Sequence, residues 1–468
     1  MESRQRNLIL TVLFIGVLMG ALDIAIVGPA LPAIRAQYQL NERSLSWIFS
    51  LYVLFNLIGT PLMAKLSDQF GRRSIYVLDV ALFAVGSLVV ALAPSFPFVL
   101  IGRAVQGFGA GGIFPVASAV IGDTFPAEKR GSALGLIGAV FGLAFLIGPI
   151  LGGVILSLAT WHWLFFINLP IAAVVMVLSL KYLPATRPAE SKRFDWAGAV
   201  TLTLMLACLA LAVNQLDVQR FFASLVSITT LPFLAAFAVL FIILTRVEKT
   251  AENPIVPASL FNRPQLRLTY ALSAGAGFAE AGLVFLPLLA VISLAGAGIQ
   301  EKNASWMLMP VVLAMVVGSP TSGRMLDRFG SRAVILAGTS VLTVGMVLVG
   351  LFSSSLAMFI FSGVLIGLGL SALLGAPLRY IMLNESRLEE RSVAQGVVAI
   401  FSSAGQLLGG ALTGAIASSR TGFGGAGAGY SLAFLVIGGI SLLLAVMALQ
   451  LKSRQAEQAA VQASQTVG

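Results

Sequence analysis

Three ionisable side chains stand deep inside apolar runs, where a charge has no solvent to lean on. Asp23 lies in Leu22-Asp23-Ile24-Ala25-Ile26-Val27-Gly28-Pro29-Ala30-Leu31-Pro32, and Arg103 in Ile101-Gly102-Arg103-Ala104-Val105-Gln106-Gly107-Phe108-Gly109-Ala110-Gly111. Glu280 lies in Gly277-Phe278-Ala279-Glu280-Ala281-Gly282. A charge at such depth is costly unless it is neutralised, paired or turned toward water. Acids so placed can take up and release a proton or meet a cationic ligand. Asp79 is the other deep acid; at about 8 Å from the end of its run it is expected to reach Arg72 or Arg73 and to serve structure.

A second constellation is Ala64-Lys65-Leu66-Ser67-Asp68-Gln69-Phe70-Gly71-Arg72-Arg73. Asp68 beside a Gly71 turn and two arginines can form a charge-assisted latch between elements. Other chemistries find no support. There is no G-x-x-x-x-G-K-[ST] phosphate loop, so direct ATP drive is not expected. No nucleophile and base are spaced for an enzyme. Cys208 is the sole cysteine, which excludes a disulfide framework and a thiolate metal cluster, and no cofactor is implied. His162, the sole histidine, adjoins Trp161 and Trp163, a setting for interfacial anchoring.

The elements that must position these residues are membrane helices. Hydrophobic residues make up 58% of the chain and charged residues 10%, too few to cover a water-exposed surface. The apolar blocks run to about 20 residues, the length at 1.5 Å per residue that a hydrocarbon core of about 30 Å requires. Fourteen spans are expected, near 8–31, 44–66, 74–94, 97–120, 131–157, 162–183, 194–216, 226–246, 268–294, 302–323, 332–352, 356–378, 392–418 and 430–450. The first is expected to be a retained helix and not a cleaved leader, since it is of spanning length and carries Asp23.

The net charge of +10 reflects orientation, because the basic residues lie in loops and form no stripe for nucleic acid. Of the 29 lysines and arginines, five fall in loops on one side, Arg103 within a span, and the remainder on the side of the N-terminus. Both termini are therefore expected in the cytoplasm. Depth arithmetic then places Asp23 about 22 Å and Arg103 about 21 Å from the cytoplasmic end, so the two can pair.

An internal repeat orders the spans. Gly59-Thr60-Pro61 through Asp68-Gln69-Phe70-Gly71-Arg72-Arg73 matches Gly318-Ser319-Pro320 through Asp327-Arg328-Phe329-Gly330-Ser331-Arg332 at a constant offset of 259. A weaker echo relates Arg130 and Gly135 to Arg391 and Gly396, and at a similar offset Glu280 falls on Asp23. The repeat predicts two halves of like topology: a six-helix half at 1–185, a linker with two additional helices at 186–265, a second six-helix half at 266–452, and a disordered cytoplasmic tail at 453–468.

On these motifs the sequence resembles the fourteen-helix drug:proton antiporter family of the major facilitator superfamily. The Asp68 loop is similar to the superfamily's G-x-L-A-D-R-x-G-R-[RK] signature, with Ala64 and Gln69 departing from it; Gly323, Asp327 and Arg328 keep it in the second half. The Asp23 stretch is similar to L-D-x-T-I-V-N-x-A-L-P, with Ala25 and Gly28 in place of Thr and Asn. The Arg103 stretch resembles R-x-x-Q-G. Gly148-Pro149-Ile150-Leu151-Gly152-Gly153 resembles the G-P-x-x-G-G element associated with antiporters.

The resemblance implies an all-α polytopic protein of a bacterial inner (cell) membrane, exporting small lipophilic compounds, expected to be cationic, against protons by alternating access. It implies proton coupling by Asp23, Glu280 and Arg103, substrate contact from Asp23, Glu280, Gln106, Ser402 and Gln406, and a cytoplasmic latch of Asp68, Gly71, Arg72, Arg73, Asp327 and Arg328. A helix kink is implied at Gly148, Pro149, Gly152 and Gly153. The expected partners are substrate, protons and membrane lipid, with no nucleic acid, and a monomer is expected. A lipid or glycolipid carrier of the same fold and, behind it, a nutrient symporter remain as alternatives.

Overall fold

The computed structural model describes residues 3–457 apart from 41, 186–193, 217–220, 253, 258, 300–305, 388–389 and 419–426. Part of the expected linker and most of the expected tail lie outside the described residues. The first half contains α1 (Ser3–Tyr38), α2 (Glu42–Phe70), α3 (Arg72–Ala91), α4 (Phe96–Thr124), α5 (Ala127–Leu158), α6 (Trp163–Phe166) and α7 (Asn168–Tyr182). Between the repeats lie α8 (Trp196–Asn214), α9 (Phe221–Leu225), α10 (Leu231–Thr250) and α11 (Ser259–Asn262). Then come α12 (Pro264–Ala281), α13 (Leu286–Ser293), α14 (Met309–Phe329), α15 (Ser331–Phe352), α16 (Leu356–Leu374), α17 (Ala376–Glu385), α18 (Arg391–Ser418) and α19 (Ala428–Ala448).

Among the described residues, 13 helical stretches are long and apolar enough to cross a membrane. The expected span at 131–157 is not one of the 13, yet it falls on α5, a continuous helix of 32 residues. Helices suit this setting because they satisfy their own backbone groups where no water can. Proline opens several of them, at Pro97 in α4, Pro264 in α12 and Pro377 in α17, where its missing N–H deprives the helix of nothing. The turns between α2 and α3 and between α14 and α15 pivot on Gly71 (φ 95°) and Gly330 (φ 84°). These are repeat-equivalent positions, and only glycine enters that backbone region without strain.

Each half has its own apolar interior. Leu13, Tyr76, Phe83, Ile121 and Val175 are buried together in the first, and Leu342, Met346, Phe359, Phe434 and Ile437 in the second. Polar residues such as Ser87, Gln106 and Thr339 are buried inside while Val177, Ile228 and Leu443 lie exposed outside, the reverse of a water-facing surface. Small residues set the helix spacing: a side chain at Gly107 would meet the Tyr52 carbonyl of α2, and one at Gly109 the Asp79 carbonyl of α3. Helix α8 packs on Leu57 and Ile58 of α2, and α10 lies almost wholly outside the bundle.

The halves meet along α5 and α14, and along α2 and α18. Gly323 of α14 faces the Gly131 carbonyl, Gly135 faces the Ser319 carbonyl, and Gly142 faces Val316. Gly396 of α18 lies against Thr60 and Pro61 of α2.

Candidate functional site

Asp23 is wholly enclosed, and every one of its partners is enclosed with it. Arg103 NH1 lies 2.6 Å from Asp23 Oδ2, with neither side chain exposed. Gln106 and Asn168 donate to Asp23 Oδ1 at 2.9 and 3.0 Å. The same two amides reach Ser87 Oγ at 2.7 and 3.2 Å. Arg103 also donates to Gln106 Oε1 and to the Ile48 carbonyl, and its guanidinium lies over the Tyr52 ring at 4.1 Å. Helices α1, α2, α3, α4 and α7 thus converge on one carboxylate. Arg103 NH2 alone has no hydrogen-bond partner, an unmet donor in a site otherwise satisfied. The spacing of Arg103 and Gln106, one helical turn apart on α4, presents both to Asp23.

A cavity of about 230 Å³ lies between the halves, and it is walled from this cluster by Tyr52, which faces both. Its lining includes Gly20, Ala21 and Ile24 of α1, Phe114 of α4, Phe141 of α5 and Ser402 and Ser403 of α18. Asp23 and Gln106 are not on that lining. The charged side chains that are on it are Glu280 and Arg379. Gln406 donates to Glu280 Oε2 at 2.5 Å, and Glu280, Gln406 and Ser402 line the cavity together. Glu280 stands one residue before the end of α12, where the helix gives way to a 3-10 turn at Gly282–Phe285 before α13. Arg379 was placed in a loop by the apolar pattern; the structure puts it inside, because the spanning stretch continues past residue 378 through α17 to Glu385.

The latch is built twice, and each copy caps a helix of the opposite half. Asp68, at the end of α2, accepts the backbone N–H groups of Ser392 at 3.3 Å and Val393 at 3.1 Å, in the first turn of α18. Asp327, at the end of α14, accepts those of Gly131 and Ser132 in α5, both at 2.9 Å. Ser392 and Val393 are the second and third residues of α18, where free N–H groups and the helix dipole make a natural seat for a carboxylate, whereas Gly131 and Ser132 are the fifth and sixth residues of α5. The first copy is held by ion pairs: Arg72 pairs with Asp68 and, at 2.9 Å, with Asp123, and Arg391 pairs with Asp123 at 2.8 Å. The second copy is largely neutral. Ser331 stands where Arg72 would, bonded to Glu457 of the tail, and Arg130 donates to Asn384 at 3.1 Å.

Other expected residues sit apart from these networks. Arg73 donates to the Leu180 carbonyl at 3.3 Å, and Arg328 lies over the Phe329 ring at 5.2 Å. On α5, a side chain at Gly148 would meet Ala25 of α1, two residues from Asp23, whereas one at Gly153 would meet nothing. Gly152 is buried and the helix backbone runs on through Pro149; the Pro149 side chain lies outside the described residues. The expectation for Asp79 is corrected. It is fully buried against Gly112, neither carboxyl oxygen has a hydrogen-bond partner, and Arg72 is instead engaged by Asp68 and Asp123.

Several contributors carried no sequence signal of their own. Asn168 and Ser87 are ordinary polar residues within apolar runs, and the amides that Asp68 and Asp327 cap belong to the backbone. The Arg130 and Arg391 echo did mark the stretches, early in α5 and α18, that Asp327 and Asp68 hold.

Comparison with known proteins addresses the same architecture. Residues 13–299 and 269–466 match the Major Facilitator Superfamily. The chain is 33% identical to "Uncharacterized MFS-type transporter YfiU" of Bacillus subtilis (strain 168), over 87% of this chain and 79% of that protein. It is 32% identical to "Multidrug resistance protein 3" of the same organism, over 72% of this chain and 64% of that one. With "Multidrug resistance protein Stp" of Mycobacterium tuberculosis (strain CDC 1551 / Oshkosh) the identity is 29%, over 88% and 76%. In fold it is similar to the human organic anion transporter MFSD10, with a TM-score of 0.71 at 17% identity, covering 96% of this chain and 100% of that one. The family match and the MFS-type transporter it resembles agree with the two helical bundles around a shared cavity: this chain belongs to the major facilitator superfamily and is a multi-pass membrane transporter, not an enzyme.

Proposed function

We propose that this protein is a proton-coupled exporter of small lipophilic compounds, working by alternating access in a bacterial inner (cell) membrane. In this reading it has fourteen spans, two six-helix halves flanking two inserted helices, and both termini in the cytoplasm. The carrying observation is the inter-half cavity with Glu280 as its acid. Deprotonated Glu280 meets a positive charge on the substrate, and protonation releases it. The Asp23–Arg103 pair behind Tyr52 is the second proton site, with Arg103 taking up the charge that a proton on Asp23 leaves unbalanced. The Asp68 and Asp327 caps close the cytoplasmic side while the cavity faces outward.

Relatives named as multidrug proteins support drug export. One observation favours an amphiphile as cargo: an apolar groove of about 580 Å³ on the outer face, lined by Trp306, Met309, Leu313, Val317 and Ile360.

The test is uphill transport of ethidium in proteoliposomes under an imposed pH gradient, with proton movement recorded together with substrate. Wild type should move both in opposite directions, and Glu280→Gln should retain downhill movement while losing uphill transport. Uphill transport without proton flux, or wild-type coupling in Glu280→Gln, overturns the reading. Proton flux driven by a short-chain lipid but not by ethidium selects the lipid carrier.

A further inference from the structure

We infer that Arg379, with the first turn of α17, forms a subsite for the anionic group of a lipophilic substrate: a carboxylate, sulfonate or phosphate. The inference rests on the transporter reading above and adds a charge class to its cargo. Arg379 is only 9% exposed and lines the inter-half cavity. Its guanidinium stacks on Phe114 at 3.7 Å and its described hydrogen bond is from NH1 to Gln395 Oε1 at 3.3 Å. Gln395 is itself pinned, donating to the Arg379 carbonyl at 2.8 Å. Among the described residues no carboxylate pairs with Arg379.

A guanidinium carries five N–H donors in a planar fork suited to an oxyanion. Stacking on Phe114 offsets part of the burial cost, but a buried cation without a counter-charge is expensive. An anion entering the cavity would meet the remaining donors. The helix supplies a second attraction. At Gly375 the spanning stretch breaks (ψ −130°) and α17 begins, with no side chain capping its first N–H groups. Gly375 also lines the cavity, so the positive end of the α17 dipole faces the same space as Arg379.

At the other pole Glu280 stands at the C-terminal end of α12, where the dipole is negative. Counting from the membrane-edge ends of their helices puts Glu280 about 24 Å deep and Arg379 about 9 Å deep, a separation of about 15 Å along the membrane normal. The cavity is therefore polarised end to end. Cationic and anionic groups have different seats, and a substrate carrying both can use the two together.

The decisive measurement is equilibrium binding to the full-length protein in phosphatidylcholine nanodiscs, which needs no transport. A failure of proton coupling therefore leaves its outcome intact. The probes are fluorescein as an organic anion, its uncharged methyl ester ether as the matched neutral, and ethidium as the cation. Wild type should bind fluorescein more tightly than the neutral form. Arg379→Gln should weaken fluorescein by about tenfold or more and leave ethidium within about threefold. Arg379→Lys, which keeps the charge and loses the fork, should fall between. A soluble short-chain phosphatidic acid that displaces fluorescein from wild type but not from Arg379→Gln identifies a lipid phosphate as a source of the anion; no displacement assigns the subsite to organic anions. Equal wild-type affinity for fluorescein and its neutral form overturns the subsite whether or not the variants fold, as does a parallel loss of fluorescein and ethidium.

Discussion

The Asp68 carboxylate accepts the backbone N–H of Val393 at 3.1 Å, tying the last turn of α2 to the first turn of α18 in the opposite half. In the alternating-access reading proposed above, the acceptor and donor separate when the halves part on this side, so the bond belongs to one state of that cycle. Asp68→Asn should therefore shift the balance between states by about tenfold or more while leaving substrate affinity of the outward-facing form within a few-fold. Spin-label distances between the ends of α2 and α18 measure the shift. Unchanged distance distributions with abolished substrate binding would show that Asp68 acts on the cavity.

Removing half of a fully enclosed ion pair strands the other half. Asp23→Asn should cost about 3–5 kcal/mol of stability by leaving Arg103 uncompensated, and Asp23→Asn combined with Arg103→Gln should recover most of it. Thermal unfolding in detergent checks both. Neither variant should transport uphill, so the double variant separates loss of fold from loss of coupling. Uphill transport by the double variant would remove the pair from the mechanism.

Asp79 has no hydrogen-bond partner for either oxygen, so its carboxyl gives the fold nothing in return for burial. Asp79→Asn should raise the thermal midpoint by about 2 °C or more. A lower midpoint would mean that the carboxyl donates or accepts a bond in solution.

The tail supplies a pH-dependent contact outside the membrane. Burial pushes the Glu457 carboxyl above its ordinary range, against the opposing effect of its hydrogen bonds to Ser331. A carboxyl whose docked form holds its proton more tightly than the free form favours docking below the free value and loses that contribution as pH rises through the docked one. Protection of residues 452–457 from hydrogen exchange should fall as pH rises above the ordinary glutamate range, and Glu457→Gln should flatten the profile. Protection that rises with pH would reverse the assignment.

Much of this architecture could be read from the chain because hydrocarbon imposes a length on every apolar run. The Asp23–Arg103 contact followed from depth alone, since two helices crossing the same slab carry their charges at computable heights. Arg379 escaped for the complementary reason. A run that breaks at Gly375 and resumes at Ala376 looks finished where its apolar residues thin out, and hydropathy does not register a helix that continues with a polar residue turned inward. The reciprocal caps escaped as well, since the groups that Asp68 and Asp327 hold are peptide amides, identical in every residue but proline. Glu280 was visible as an acid, but the 3-10 turn after it, where Gly282 lies against Ile437, left no mark in the apolar pattern.

The seam where Gly323 faces Gly131, and Gly135 faces Ser319, is made of backbone. A joint of interlocking side chains must unlock each rotamer before it opens and freeze each again on closing, which taxes every cycle in entropy. Along this stretch the surfaces can part and rejoin like two smooth rails, with the Asp327 contacts to Gly131 and Ser132 as the teeth to clear. Placing even a methyl group on one rail, as in Gly323→Ala, would jam the closed position while leaving the open one untouched.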